Sequence, residues 1–268
     1  MKNKLSISLL CMPNLRKIDF FFKTLIQEKI YNIELPISKI SKDFSNNKKK
    51  LKAFKLKMEK YSINVSSVQS IFYNKERWNI FDLKKHKVIL NHLHKVFKIS
   101  KYFRAKNIIF GSPKNRYLDK YSDKKNSIIF FNKVAKIANN FDINFCIEPN
   151  SKYYNCNYIN NTSDAIKLVK LINNKNILIN ADTGNIFLEK DKCAEVYKNY
   201  KLFGNFQISE KNLVSLSDGN INHLKILKKF KIKKNFISLE MLNIDHSTLK
   251  KNITKFKGII SKYGTNDF

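Results

Sequence analysis

The chain predicts a (β/α)8 barrel, an α/β fold, and three observations carry that expectation. Eight short apolar, β-branched runs recur along 268 residues. A stretch with helical periodicity follows each of them. No glycine follows the first run, where Cys11-Met12-Pro13-Asn14 stands, whereas an open doubly wound sheet places a glycine-rich turn there. Eight such units in roughly 250 residues match the size of a barrel. No internal boundary is visible, so residues 1–268 read as a single domain.

The runs begin at Leu5 (LSISLL), Tyr31 (YNIEL), Ile63 (INVSSVQSIF), Asn107 (NIIFG), Ile143 (INFCIE), Asn176 (NILINAD), Phe203 (FGNFQIS) and Asn235 (NFISLE). The first follows Met1-Lys2-Asn3-Lys4 and has the outline of a signal peptide, with a hint of a lipoprotein signal at residues 8–11. Leu10 fills a position that should be small and the apolar core is short, so a buried strand is expected instead. Residues 15–28 place Ile18, Phe21, Phe22 and Leu25 on one helical face. Residues 127–140 do the same with Ile128, Phe131, Val134, Ala135 and Ala138. Residues 162–172 repeat Ala165, Leu168, Val169 and Ile172, with Thr162 or Ser163 as the expected N-cap. Residues 84–104 form another amphipathic stretch, which carries His86, His92 and His94. A His-x-His pair does not share one helix face, so no helical metal pair is expected there. His246 stands at the expected start of the last helix, where a surface or capping role suffices. The longest irregular stretches, 73–83, 114–126 and 150–161, all follow strands, where a barrel builds its active-site face.

Composition narrows the function. The formal net charge is +31, but only 4 of the 52 basic residues are arginine. Phosphate and base-edge recognition favour arginine forks. Thirty-five asparagines against 7 alanines and 6 glycines point to base bias in the coding sequence. The lysines therefore read as a solvated coat, with polyanion binding as the alternative. The lysine-rich stretches 48–60 and 225–234 should lie on outer helices, away from the strand C-terminal mouth. A hydrophobic fraction of 43% with 21 Phe and 12 Tyr excludes disorder. No uncharged apolar run approaches the ~18 residues of a membrane span. Cys11, Cys146, Cys156 and Cys193 lack C-x-x-C spacing, which leads us to expect reduced thiols in a cytoplasmic protein.

Four polar residues end the last four apolar runs: Glu148, Asp182, Gln207 and Glu240. A barrel brings those ends into one arc, where three carboxylates and an amide oxygen could enclose a hard divalent cation. Unpaired, the carboxylates would raise one another's pKa values. Separate, solvated carboxylates remain open on spacing alone.

At these residues the chain resembles the sugar phosphate isomerase/epimerase family, the xylose isomerase-like barrels that include ketose 3-epimerases and endonuclease IV. The matching segments are YNIELPIS (31–38), SINVSSVQSIF (62–72), NIIFGSPKNR (107–116), CIEPN (146–150), INADTGNI (179–186), FQISEKNL (206–213), DGNINH (218–223) and ISLEM (237–241). The resemblance implies one divalent metal ion on Glu148, Asp182, Gln207 and Glu240, with Gln207 standing where the family usually has His. Mn2+ or Mg2+ suits that set, with Zn2+ and Co2+ as alternatives. It also implies that Glu148 and Glu240 exchange the substrate proton through a metal-stabilised enediolate. Its substrate-site positions fall on Glu34, Gln69, Asn185, Glu210 and His223. Asn185 replaces a His, and Glu210-Lys211-Asn212-Leu213 lacks the family's Arg. Arg116 is expected to compensate by holding a phosphate or carboxylate.

The expected activity is thus that of a metal-dependent sugar or sugar-phosphate isomerase or epimerase. The partner is a small sugar, without nucleic acid or membrane, and a homo-oligomer stays open. A barrel that binds a sugar-like ligand without turning it over is the alternative. An apurinic endonuclease needs a trinuclear zinc cluster with further His ligands. Val68-Gln69-Ser70, Phe110-Gly111-Ser112 and Asn185 stand in their places.

Overall fold

The computed structural model describes residues 4–41, 47–232 and 235–264. In chain order its elements are β1 (Leu5–Ser8), α1 (Ile18–Gln27), β2 (Asn32–Pro36), α2 (Ile37–Ile40), α3 (Lys48–Lys60), β3 (Asn64–Gln69), α4 (Leu83–Tyr102), β4 (Asn107–Phe110), α5 (Lys124–Phe141), β5 (Asn144–Ile147), α6 (Thr162–Ile172), β6 (Ile177–Asp182), α7 (Thr183–Leu188), β7 (Phe203–Ser209), α8 (His223–Leu227), β8 (Phe236–Glu240) and α9 (His246–Lys262). The eight strands close into one parallel barrel in sequence order, with β1 paired to both β2 and β8. Every expected strand is present, the N-terminal apolar run among them.

The helices follow the expected apolar faces, with local differences that have physical causes. A 3-10 turn (Leu15–Lys17), capped by Asn14, precedes α1. Asn161, rather than Thr162 or Ser163, caps α6 by accepting from the Asp164 amide. Thr162 is already the first helical residue, and its amide donates to Asp191 Oδ2 at 2.7 Å. The helix expected across 225–234 stops at Leu227. Phe230 and Ile232, two residues apart, both bury instead, a spacing that does not share one face of a continued helix. Residues 233 and 234 lie outside the described residues, as does Asn46 of the 46–50 charge run. In α3, Leu51, Phe54 and Met58 pack inward while the lysines face outward. Neither α3 nor α8 lines the cavity described below.

The barrel interior departs from the usual filling by bulky branched side chains. Side chains alternate along a strand, so Asn180 shares the inner face with Asp182. Asn205, Gln207 and Ser209 share it on β7, and Ser238 and Glu240 on β8. The alternate residues Ile179, Ala181, Phe206, Ile208, Ile237 and Leu239 face the helices and are buried there. Strands apolar toward the helices and amide-rich toward the axis set a polar column beneath the mouth. Among the described residues, no helix is long and apolar enough to cross a membrane. All four cysteines are buried and free.

Candidate active site

A cavity of about 400 Å³ opens at the C-terminal ends of the strands. Its floor is Glu148, Asp182, Asn185 and Glu240, with Gln69 and Asn150 beside them. Leu10, Phe72, Tyr73, Pro113, Tyr154 and Leu213 form much of its upper wall. Lys114 is the one basic residue among the described lining residues, against Glu76 and the three floor carboxyls. Register brings the floor together: Asp182 pairs with Gln207 across β6–β7, and Ser209 with Glu240 across β7–β8.

Amides hold Glu148 firmly. Its Oε1 accepts from Asn150 Nδ2 at 2.7 Å and Asn185 Nδ2 at 3.0 Å, and its Oε2 accepts from Asn180 Nδ2 at 3.0 Å. Gly111 makes this approach possible, because a Cβ there would sit 2.6 Å from Glu148 Oε2. Asp182 Oδ1 accepts from the Asn185 backbone amide at 2.7 Å and from its Nδ2 at 3.0 Å. Asp182 Oδ2 is buried with no hydrogen-bond partner.

These carboxyls do not titrate like exposed ones. Burial, then the charge of Asp182, pushes Glu148 up to about 8, against the pull of Arg116. Burial likewise lifts Asp182 to about 6. Burial and then the charges of Glu148, Glu34 and Asp182 raise Glu240 well above the carboxylate range. A raised folded-state pKa means that the folded chain holds protons the unfolded chain has released. Metal-free protein should therefore lose stability as pH rises from about 4.5 through about 8, the window Glu148 spans. Denaturant unfolding at pH 5 and pH 8 checks this, and Glu148→Gln should flatten the slope.

Several of the expected site residues lie elsewhere. Gln69 and Asn185 line the cavity, but Gln207, Glu34, Arg116, Glu210 and His223 do not. Gln207 turns into the barrel axis, where its Oε1 accepts from Asn180 and its Nε2 donates to Glu34 Oε2 at 2.8 Å. The expected four-ligand centre is therefore not assembled, because an amide inside an amide column finds partners on both its ends. Among the described residues, no group of three or more His, Cys, Asp or Glu side chains is arranged to hold a metal ion. The donor chemistry still fits a hard cation at Glu148, Asp182 and Glu240. They face one cavity, the charge of Asp182 raises Glu148 and the charges of both raise Glu240, and Asp182 Oδ2 lacks a partner.

Arg116 differs most from its expected role. It is fully buried, its Nη2 donates to the Glu148 carbonyl and to Asn150 Oδ1, and its guanidinium lies 5.5 Å from the Phe110 ring centroid. It holds the wall from behind and does not reach a ligand in the cavity. Glu210 and His223 form a buried pair at 2.9 Å, and His223 Nδ1 lies 2.9 Å from Thr183 Oγ1. Glu34 sits in the axis with four donors around it. Of the other histidines, His86 is buried with its Nε2 2.7 Å from the Ile80 carbonyl.

Asn150, Asn180 and Asn205 were not singled out by the motifs. Their signal was period two: Asn180 precedes Asp182 by two residues, Asn205 precedes Gln207 by two, and Asn150 follows Glu148 by two.

The structure is a closed parallel barrel with acids and amides at its strand C-terminal mouth, the face on which barrels of this class build their active sites. Residues 32–257 match the model of the xylose isomerase-like TIM barrel, and the chain belongs to that family. It is 27% identical to D-psicose 3-epimerase of Agrobacterium fabrum over 96 residues, 35% of this chain and 33% of that protein. The match thus spans about a third of that relative's length. The fold is similar to 3-keto-D-glucoside 4-epimerase from E. coli, with a TM-score of 0.73, 14% identity and coverage of 97% and 100% of the two chains. It is also similar to the IolI protein solved with a zinc atom, with a TM-score of 0.72, 16% identity and 99% of each chain covered.

Proposed function

We propose that the chain is a sugar isomerase or epimerase in which Glu148 and Glu240 exchange a proton with a carbon beside the sugar carbonyl. The observation that carries this reading is that these two carboxyls, from strands β5 and β8, open on one cavity with Asp182 between them. Removal of that proton by one carboxyl leaves an enediolate, and return of a proton by the other carboxyl to the opposite face of that carbon inverts it. Burial lifts both above the carboxylate range, Glu148 to about 8, which moves them in the direction a proton-exchanging group needs. Asn150, Asn180 and Asn185 hold Glu148 in place. The Asn185 amide is fully engaged by Glu148, Asp182 and the Ser151 amide, so of Gln69 and Asn185 only Gln69, which lines the cavity, would meet a sugar hydroxyl. Glu148, Asp182 and Glu240 would hold a divalent cation, Mn2+ or Mg2+ by donor type. When bound, it supplies charge stabilisation for the developing oxyanion. Four buried free thiols accord with a cytoplasmic setting.

The lining favours an uncharged sugar over a sugar phosphate. Four carboxyls face one ammonium, that of Lys114, and Arg116 lies behind the wall. Incubating ketoses and ketose phosphates with the protein and Mn2+ in deuterated water tests the reading. Deuterium should enter carbon in a free ketose first. No incorporation from any ketose, with or without metal, would leave a ligand-binding barrel.

Metal dependence has its own readout. Mn2+ should raise the Tm in a concentration-dependent way, by about 2.7 kcal/mol of stability at 100 times Kd. Asp182→Asn should abolish that shift, and Gln207→Ala should keep it. A shift lost in Gln207→Ala and kept in Asp182→Asn would place the ion elsewhere.

A further inference from the structure

Beneath the cavity a single carboxylate sets the direction of a ring of amides. Glu34 Oε1 accepts from Ser67 Oγ at 2.8 Å and Asn205 Nδ2 at 3.1 Å. Its Oε2 accepts from Gln207 Nε2 at 2.8 Å and Gln69 Nε2 at 3.1 Å. Burial raises the pKa of Glu34 and the hydrogen bonds donated to it oppose that rise. Ionised, a carboxylate only accepts, at about four lone-pair sites, so these donors saturate it. Gln207 thus shows Glu34 its NH2 group, and its carbonyl faces Asn180. Asn180 meets that carbonyl with its own NH2, which also donates to Glu148 Oε2 at 3.0 Å. The Asn180 carbonyl accepts from Asn205 Nδ2 at 2.9 Å, which closes the ring back to Glu34. No amide in this ring can flip alone without setting two donors or two acceptors against each other.

We propose that Glu34, acting through Gln207 and Asn180, is the positioning residue that turns a donor toward Glu148 and holds its carboxyl in the cavity-facing pose. Its effect on turnover rests on the sugar chemistry proposed above, whereas the orientation of the ring does not. Ion-free apolar packing could fill the axis at no loss of stability. What the network adds is direction: an acceptor-only group at one end dictates a donor at the other. The seventh-strand amide is then the pivot of that relay, because glutamine donates from one end and accepts at the other.

Glu34→Gln keeps shape and volume but introduces one NH2 group. Whether that group faces Gln207 or Asn205, the amide it meets must flip, and either flip reaches Asn180. In isotopically labelled protein, Glu34→Gln should move the side-chain NH2 signals of Gln207 and Asn180 and the carboxyl carbon signal of Glu148. The side-chain signals of Asn115, bonded elsewhere to Lys75 and Trp78, should stay. In the deuterium-exchange assay kcat should fall about tenfold or more with KM nearly unchanged, since ~1 Å of misplacement can cost ~100-fold. Gln207→Met breaks the same link, and the double variant should be no slower than the worse single one. Gln207→Met alone still carries the Asn180 and Glu148 readings if Glu34→Gln does not fold. Stationary Asn180 and Glu148 signals, or losses that multiply in the double variant, would overturn the relay. A wild-type protein inactive on every ketose would sink the sugar chemistry, while the spectra would still decide the ring.

Discussion

Glu148→Gln and Glu240→Gln should each abolish epimerisation, by about 10²–10⁴-fold, the usual weight of a positioned acid or base. The two variants should also differ in kind. Each retains one of the two proton-exchanging carboxyls, so each should still exchange deuterium into the epimer whose proton that carboxyl serves. Exchange into the other epimer should vanish. Both carboxyls are already raised by burial, so a neutral amide removes little favourable charge energy, and both variants should fold. Full epimerisation by either variant would remove that residue from the mechanism. Loss of exchange into both epimers from either single change, with the Mn2+ shift in Tm kept, would point to one base acting on both faces, whereas loss of that shift as well would trace it to the missing metal ligand.

Arg116→Ala should destabilise the chain by about 3 kcal/mol or more. Two buried acceptors, the Glu148 carbonyl and Asn150 Oδ1, lose their donor, at about 1–3 kcal/mol each. The emptied volume beside Phe110 adds a cavity cost. Opposing this, Arg116 Nε and Nη1 have no partners, and an unpaired buried charge is itself costly. The loss of donors to the cavity wall should dominate. Thermal unfolding checks it, at about 2–4 °C per kcal/mol for a chain near this size. Removing this positive neighbour also disfavours ionised Glu148, whose carboxyl should titrate still higher. A variant of wild-type stability that binds only phosphorylated sugars more weakly would instead make Arg116 a ligand anchor.

Much of the fold was legible because strand and helix periods are local. Apolar runs such as NIIF and ILINAD can bury both faces only in a covered parallel sheet, and their spacing left room for one helix between each pair. Glu148, Asp182 and Glu240 were legible as site candidates because each ends an otherwise apolar run. Asn185 and Gln69 fell on the cavity through resemblance, not through spacing.

The direction in which a polar side chain turns was not legible. Arg116 and Gln207 stood at positions that suited a ligand, yet one packs behind the wall and the other lies in the axis. Their partners, Asn150, Asn180 and Glu34, come from β2, β6 and the loop after β5, which meet only on barrel closure. By itself the sequence determined the eight-strand barrel, the arc of carboxyls at its mouth and the outward lysine face of α3, because burial alone dictates these. The tertiary structure decided which polar groups face the cavity and which face one another, because a buried donor or acceptor settles on whatever partner closure brings within reach.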